Sequence, residues 1–167
     1  MAKIDIARLE KIRAQILESR EKGGTCITIC GGTGCHAYGC LTVAQAFSEE
    51  IKKQGLGEAV SVRSTGCHGF CERGPIVVIQ PERIFYQRVR VDDIQEIISE
   101  TIRNHRILKR LLYVDPKTQE RIVYEKDVPF YKKQRRLIFG NNGFIDPTDI
   151  KDYIALDGYK ALAKVFF

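Results

Sequence analysis

Six cysteines fall into two groups along the 167 residues: four in CITICGGTGCHAYGC, residues 26 to 40, and two in GCHGFC, residues 66 to 71. Thiols grouped in this way serve as disulfide partners, zinc ligands, redox-active thiols or ligands of an iron-sulfur site. Cys30 and Cys35 bracket GGTG, and Cys67 and Cys71 bracket HGF, a C-x4-C and a C-x3-C with 31 residues between them. Structural zinc prefers tighter knuckles, commonly C-x2-C, that close a tetrahedron about one ion. A binuclear cluster is longer, takes two cysteines per iron and is stabilised by backbone N–H donors near its sulfurs. Gly31, Gly32 and Gly34 suit that need: they put no side chain in the way and can take the positive φ values that turn successive N–H groups toward an anion. The spacing favours a 2Fe-2S centre, with zinc and thiol chemistry as the alternatives.

The neighbouring residues have plainer readings. Cys26 is expected to pack as a small hydrophobe on its strand, and Cys40 to be structural at a helix start. His36 and His68 each follow a candidate ligand directly, and are read as residues that hydrogen-bond around the site or lie on the surface. Tyr38 and Phe70 are expected to shield the site from water, and Pro75 to fix the turn into its strand. A thioredoxin-like thiol oxidoreductase would need a C-x-x-C near a helix start, a spacing no two of these cysteines have. A zinc-stapled adaptor domain is the competing structural reading.

Composition sets the frame. At 44% hydrophobic and 29% charged, the chain is an ordinary globular one. The opening MAKIDIARLEKIRAQILESREK lacks the apolar run of a signal peptide, and no stretch approaches the ~20 apolar residues of a membrane span. A cytoplasmic protein is expected, where metal or catalysis explains cysteines better than disulfides do. Most of the net +6 lies between Arg103 and Arg136, where eleven Lys or Arg face four acids, a local +7. The dense run Lys132, Lys133, Arg135 and Arg136 lacks the motifs of a nucleic-acid module, so no nucleic-acid partner is expected. A solvated or subunit-facing segment fits better, and residues 124 to 136 read as a partner-docking stretch or a simple linker.

The elements that must position these thiols follow from periodicity. Ile6, Leu9, Ile12 and Ile16 share one face of an N-terminal helix stopped near Gly23 and Gly24, a face that needs something to cover. Residues 25 to 29 read as a strand and 42 to 54 as a helix with Val43, Ala46, Phe47 and Ile51 inward. AVSVR (59 to 63), IVVIQ (76 to 80) and IFYQRV (84 to 89) read as strands, the last two joined by PER. Val91, Ile94, Ile97, Ile98 and Ile102 mark a closing helix with Asp92 and Asp93 in its first turn. This β-α-β-β-β-α order, with the first two strands parallel, is that of an α/β thioredoxin-like fold, with both cysteine groups in loops at strand ends.

CGGTGC followed by a helix, and then STGCHGFCERGPIVVI, closely resemble the thioredoxin-like 2Fe-2S ferredoxin domain of NADH dehydrogenase subunits of the respiratory complex I type and of NAD-linked, electron-bifurcating iron hydrogenases. The resemblance spans about residues 25 to 90 and implies Cys30, Cys35, Cys67 and Cys71 as the four cluster ligands. Residues 129 to 167 look like the lead-in to the flavin- and NADH-binding subunit, with IDP opening one helix and GYKALAK in the next. The closest arrangement is the β (flavoprotein) subunit of NAD(P)-dependent iron hydrogenases. No glycine-rich phosphate cradle occurs, so FMN and NAD(P) are expected only in a downstream domain beyond these residues. The apolar end Leu162, Val165, Phe166 and Phe167 has nothing after it to cover it, as expected of a domain cut from a larger chain or a split subunit.

The resulting division is a helix at 1–22, a ferredoxin domain at 23–112, and a basic linker with truncated lead-in at 113–167. The expected role is one-electron transfer to other subunits of a hydrogenase or NADH dehydrogenase complex. These residues alone are expected to make or break no substrate bond, and a homodimer is among the arrangements expected in isolation.

Overall fold

The computed structural model describes residues 5–21 and 24–166. Helix α1, Ile6–Glu21, leads into strand β1, Thr25–Cys30. A short helix α2, Thr33–Ala37, and the longer α3, Cys40–Lys53, come next. Strands β2, Val60–Thr65, β3, Val77–Gln80, and β4, Ile84–Tyr86, complete the sheet. A helical turn, α4, Ile94–Glu96, then runs on into a π-helical stretch, Ile97–Arg103. The sheet order is β2-β1-β3-β4, parallel between β1 and β2 and antiparallel elsewhere. Parallel neighbours cannot be joined by a tight turn, and α3 supplies the crossover.

The expected element order is found, with boundaries that matter for the cysteines. Strand β1 runs through Cys30, a helical turn occupies the glycine-bearing segment after it, and α3 starts at Cys40. Cys30 and Cys35 therefore sit on a strand end and on a helix, where a loop was expected for both. The turn between β3 and β4 holds Arg83 at φ 63.

Successive side chains on a strand point to opposite faces, and β4 uses this to bind two layers. On one face the Tyr86 hydroxyl lies 2.7 Å from the Thr101 hydroxyl and accepts from the Leu108 N–H at 3.0 Å. On the other, Phe85 meets the ring of Tyr131 edge-on, centroids 5.8 Å apart. The helical layer thus covers one face and the basic segment the other. That segment forms a small hairpin of β5, Tyr113–Val114, and β6, Arg121–Ile122, and a turn of helix α5, Pro129–Lys132. Residues 124 to 136 are packed where a simple linker was one expectation: Val128 and Tyr131 are buried, while Lys132, Lys133 and Arg135 stay in water. Burying such side chains contributes ~1.5–3 kcal/mol each, enough to hold an otherwise irregular strip of chain in place.

Helix α1 is covered by the far end of the chain. Leu9, Ile12 and Ile16 are half-buried, and the helix packs on α6, Ile150–Ala155. Buried Asp152 gathers Arg20, Arg63 and the Asp146 N–H, and Arg13 pairs with Asp157 at 3.0 Å. The expected stop at Gly23 lies outside the described residues. Helix α7, Lys160–Phe166, leaves Leu162, Val165 and Phe166 exposed, and Phe167 lies outside the described residues.

Candidate metal centre

Parallel pairing of β1 with β2 sets Cys30 beside Thr65, so both strands deliver their following segments to one end of the sheet. The Gly31 N–H donates to the Thr65 carbonyl at 2.8 Å, and the Cys30 N–H to the Ile76 carbonyl at 3.0 Å. Helix α2 then carries Cys35 inward. Cys67 follows β2, and Cys71 opens a 3-10 turn, Cys71–Arg73, closed by the Gly74 N–H on the Cys71 carbonyl. Cys30 and Cys35 are buried, at 1% and 0% exposure, whereas Cys67 and Cys71 are half-buried. One side of the site faces the core and the other faces out.

The two segments interlock through glycine. A Cβ on Gly32 would stand 2.8 Å from the Cys67 sulfur, and one on Gly34 2.9 Å from the Cys71 sulfur. Reciprocally, a Cβ on Gly74 would stand 2.7 Å from the Cys35 sulfur. Each segment is thus bare where the other's thiol lies. The expected positive φ values are not used: Gly31, Gly32 and Gly34 are not among the left-handed residues, and Gly32 is extended at φ −69. Their need is steric. Gly31 abuts β2, where a Cβ would meet the Ser64 hydroxyl at 2.6 Å and the Thr65 carbonyl at 2.9 Å.

Electrostatics separates the thiols. A hydrogen bond from Cys35 holds Cys30 well below the ordinary thiol range against the effect of burial, and the N–H groups of His68 and Gly32 add to it. The same bond and burial push Cys35 up. Burial raises Cys67 despite a hydrogen bond from the Gly69 N–H at 3.3 Å. Among the described residues, no three His, Cys, Asp or Glu side chains are gathered around a single-ion position. Four thiols in two facing pairs, with backbone N–H groups on their sulfurs and glycine opposite, form a donor set that fits a binuclear iron-sulfur cluster.

The chain matches the family model described as thioredoxin-like [2Fe-2S] ferredoxin over residues 15–102. It belongs to that family. It is 39% identical over 77 residues to a 2Fe-2S ferredoxin of Clostridium pasteurianum, across 46% of this chain and 76% of that protein. A solved thioredoxin-like [2Fe-2S] ferredoxin from Aquifex aeolicus superposes with a TM-score of 0.50 at 26% identity, over 60% of this chain and 99% of its own. A 34-residue stretch is 65% identical to the NADP-reducing hydrogenase subunit HndC of Solidesulfovibrio fructosivorans, 20% of this chain and 7% of that subunit. This thioredoxin-like ferredoxin is a one-electron carrier whose cofactor is a 2Fe-2S cluster, which displaces the zinc-adaptor and thiol-oxidoreductase alternatives. The matched residues stop at 102, so the layer built on Tyr131 lies beyond them.

Around the cysteines the structure chooses between the readings of some residues and corrects those of Tyr38 and Cys26. His36 is exposed but His68 is buried, at 1% exposure. The His68 ring nitrogens face the Thr65 hydroxyl at 3.4 Å on one side, and the Tyr131 hydroxyl at 3.3 Å and Glu125 at 3.4 Å on the other. Burial raises Glu125, but His68 and the Arg83 guanidinium at 2.7 Å outweigh it and hold the carboxyl below its ordinary range. Tyr38, expected to shield the site, is 60% exposed, because the α2–α3 turn carries it outward. Phe70 is buried as expected, stacked on Phe130 with centroids 4.2 Å apart. Cys40 is buried, whereas Cys26 is only half-buried near the sheet's far end. Glu125, Tyr131, Arg136 and Asn142 were not legible as site residues, since no spacing links them to the cysteines. Only the apolar Val128 and Tyr131 inside a basic run hinted at an inward face.

Proposed function

We propose that Cys30, Cys35, Cys67 and Cys71 hold the cluster, two from each segment, and that Gly32 and Gly34 leave the room it needs. The observation that carries this is the reciprocal fit of Gly32 to Cys67, Gly34 to Cys71 and Gly74 to Cys35. A bound 2Fe-2S cluster takes up and returns one electron. The protein's own residues bury one side of it and leave the Cys67 and Cys71 side near the surface, where an outer-sphere electron passes to a docked partner.

The setting we propose is an NAD(P)-linked iron hydrogenase or a complex I type NADH dehydrogenase, in the cytoplasm, with other subunits of that enzyme as partners. The local similarity to a hydrogenase subunit supports it. In this reading residues 23–112 are the electron-transfer unit, and 113–167 cover its second face and lead toward a partner domain that binds FMN and NAD(P). Among the described residues no helix is long and apolar enough to cross a membrane.

The test is anaerobic purification with iron and acid-labile sulfide assays, followed by EPR after dithionite reduction. About two irons and two sulfides per chain are expected, with a reduced-cluster signal. Serine at positions 30, 35, 67 or 71 should abolish or grossly perturb the cluster, and serine at 26 or 40 should leave it. A colourless protein holding zinc would overturn the reading.

A further inference from the structure

Two consecutive peptide units of the cysteine loop are gripped from behind by the C-terminal segment. The carbonyl of Cys67 accepts a hydrogen bond from the Asn142 side-chain amide at 3.1 Å. The N–H of that same peptide unit belongs to His68 and favours the Cys30 thiolate, one of the groups that hold that thiol below its ordinary range. The next carbonyl, that of His68, accepts from the Arg136 guanidinium at 2.6 Å. The N–H of that unit belongs to Gly69 and donates to the Cys67 sulfur at 3.3 Å. Gly69 stands at φ +82, a conformation glycine adopts without penalty, as the chain turns that N–H back on the preceding thiol. The grip is close: a Cβ on Gly66 would lie 3.0 Å from Asn142, and one on Gly143 3.0 Å from the His68 ring.

We propose that Arg136 and Asn142 are positioning residues that set the reduction potential of the site by polarising these two peptide units toward the sulfurs of Cys67 and Cys30. The proposal rests on the ligand assignment above. A peptide unit is a conjugated plane, so a donor on its oxygen draws charge that makes its N–H the stronger donor. Hydrogen bonds in series strengthen one another by ~10–30% per bond, and those with an ionised donor are about twice as strong as neutral ones. Stronger N–H donation to sulfur favours the more negative, reduced cluster and so raises its potential. Both residues lie beyond the residues matched to the family model, which end at 102.

The experiment compares Arg136→Gln, Asn142→Ala and their combination with the parent protein, each shown by iron, sulfide and visible absorption to hold the cluster, by redox titration followed optically. Arg135→Gln is the control, an exposed neighbouring cation with no hydrogen bond or ion pair among the described residues. Each relay variant should lower the reduced-to-oxidised ratio at fixed poise roughly three- to tenfold, a shift of about −30 to −60 mV for a one-electron couple, and the pair together should lower it further. Arg135→Gln should move it less than either. The two residues act on different peptide units, so each variant tests the relay if the other fails to hold a cluster. Unchanged potentials in both, or an equal shift in Arg135→Gln, would overturn the proposal. Failure of the ligand assignment would show separately, as a cluster kept by the serine variants at 30, 35, 67 or 71 or lost by those at 26 or 40.

Discussion

Gly32 faces Cys67 so closely that a methyl group on it would stand 2.8 Å from the sulfur. The contact joins the segment after β1 to the segment after β2, and the methyl would meet both the Cβ and the sulfur of Cys67, a side chain too short to swing aside without moving the thiol itself. Gly32→Ala and Gly34→Ala should therefore lose most of the bound iron and sulfide. Gly57→Ala, where nothing lies within 4 Å, should keep them. Metal analysis of the three variants checks this.

Glu125 links acidity to stability. Its carboxyl titrates below the ordinary 4.5 when folded, since His68 and Arg83 outweigh the effect of burial. Its contribution is therefore fully present above the unfolded value and lost as pH falls through the lower folded one. Arg83 is partly exposed, so Glu125→Gln should cost only ~1–3 kcal/mol. Urea unfolding of both proteins should show that difference at pH 7 and its shrinkage below about pH 4.5.

Phe70 and Tyr38 should part company on truncation. Phe70→Ala removes a buried ring stacked on Phe130, and should destabilise by ~3–5 kcal/mol. Tyr38→Ala removes an exposed ring and should stay within ~0.5 kcal/mol, with an unchanged visible spectrum. Thermal unfolding followed at the cluster absorption separates the two.

Tyr131→Phe keeps the ring against Phe85 and deletes the hydroxyl beside His68. A loss of ~1 kcal/mol is expected, against ~3–5 kcal/mol for Tyr131→Ala. Denaturant midpoints of the two variants would show whether the ring or the hydroxyl matters more.

The ferredoxin core was legible because its signals are local and periodic. Ile27 and Ile29 alternate, Val43, Phe47 and Ile51 recur at helical spacing, and the cysteines carry their own spacing. What escaped was the second layer. Val128 and Tyr131 sit in an irregular stretch whose apolar residues follow the contour of the sheet and no helical or strand period, amid cations that read as solvated. For His68 two readings stood, bonded around the site or exposed, and the local sequence did not choose: its burial is decided by Tyr131 and Glu125, remote in sequence, and nothing beside Cys67 announces them. Cys35 looked like a loop residue because glycines on both sides masked a single helical turn.

The parallel pairing of β1 with β2 also bears on how the site would be assembled. Neither cysteine segment alone carries all four proposed ligands, and the parallel pairing that unites them spans the crossover helix α3. Non-local closure of this kind is the slow part of folding. On the proposed ligand set, maturation would wait on topology: a chain in which β1 and β2 are not yet paired would offer whatever donates iron and sulfide only half a receptacle.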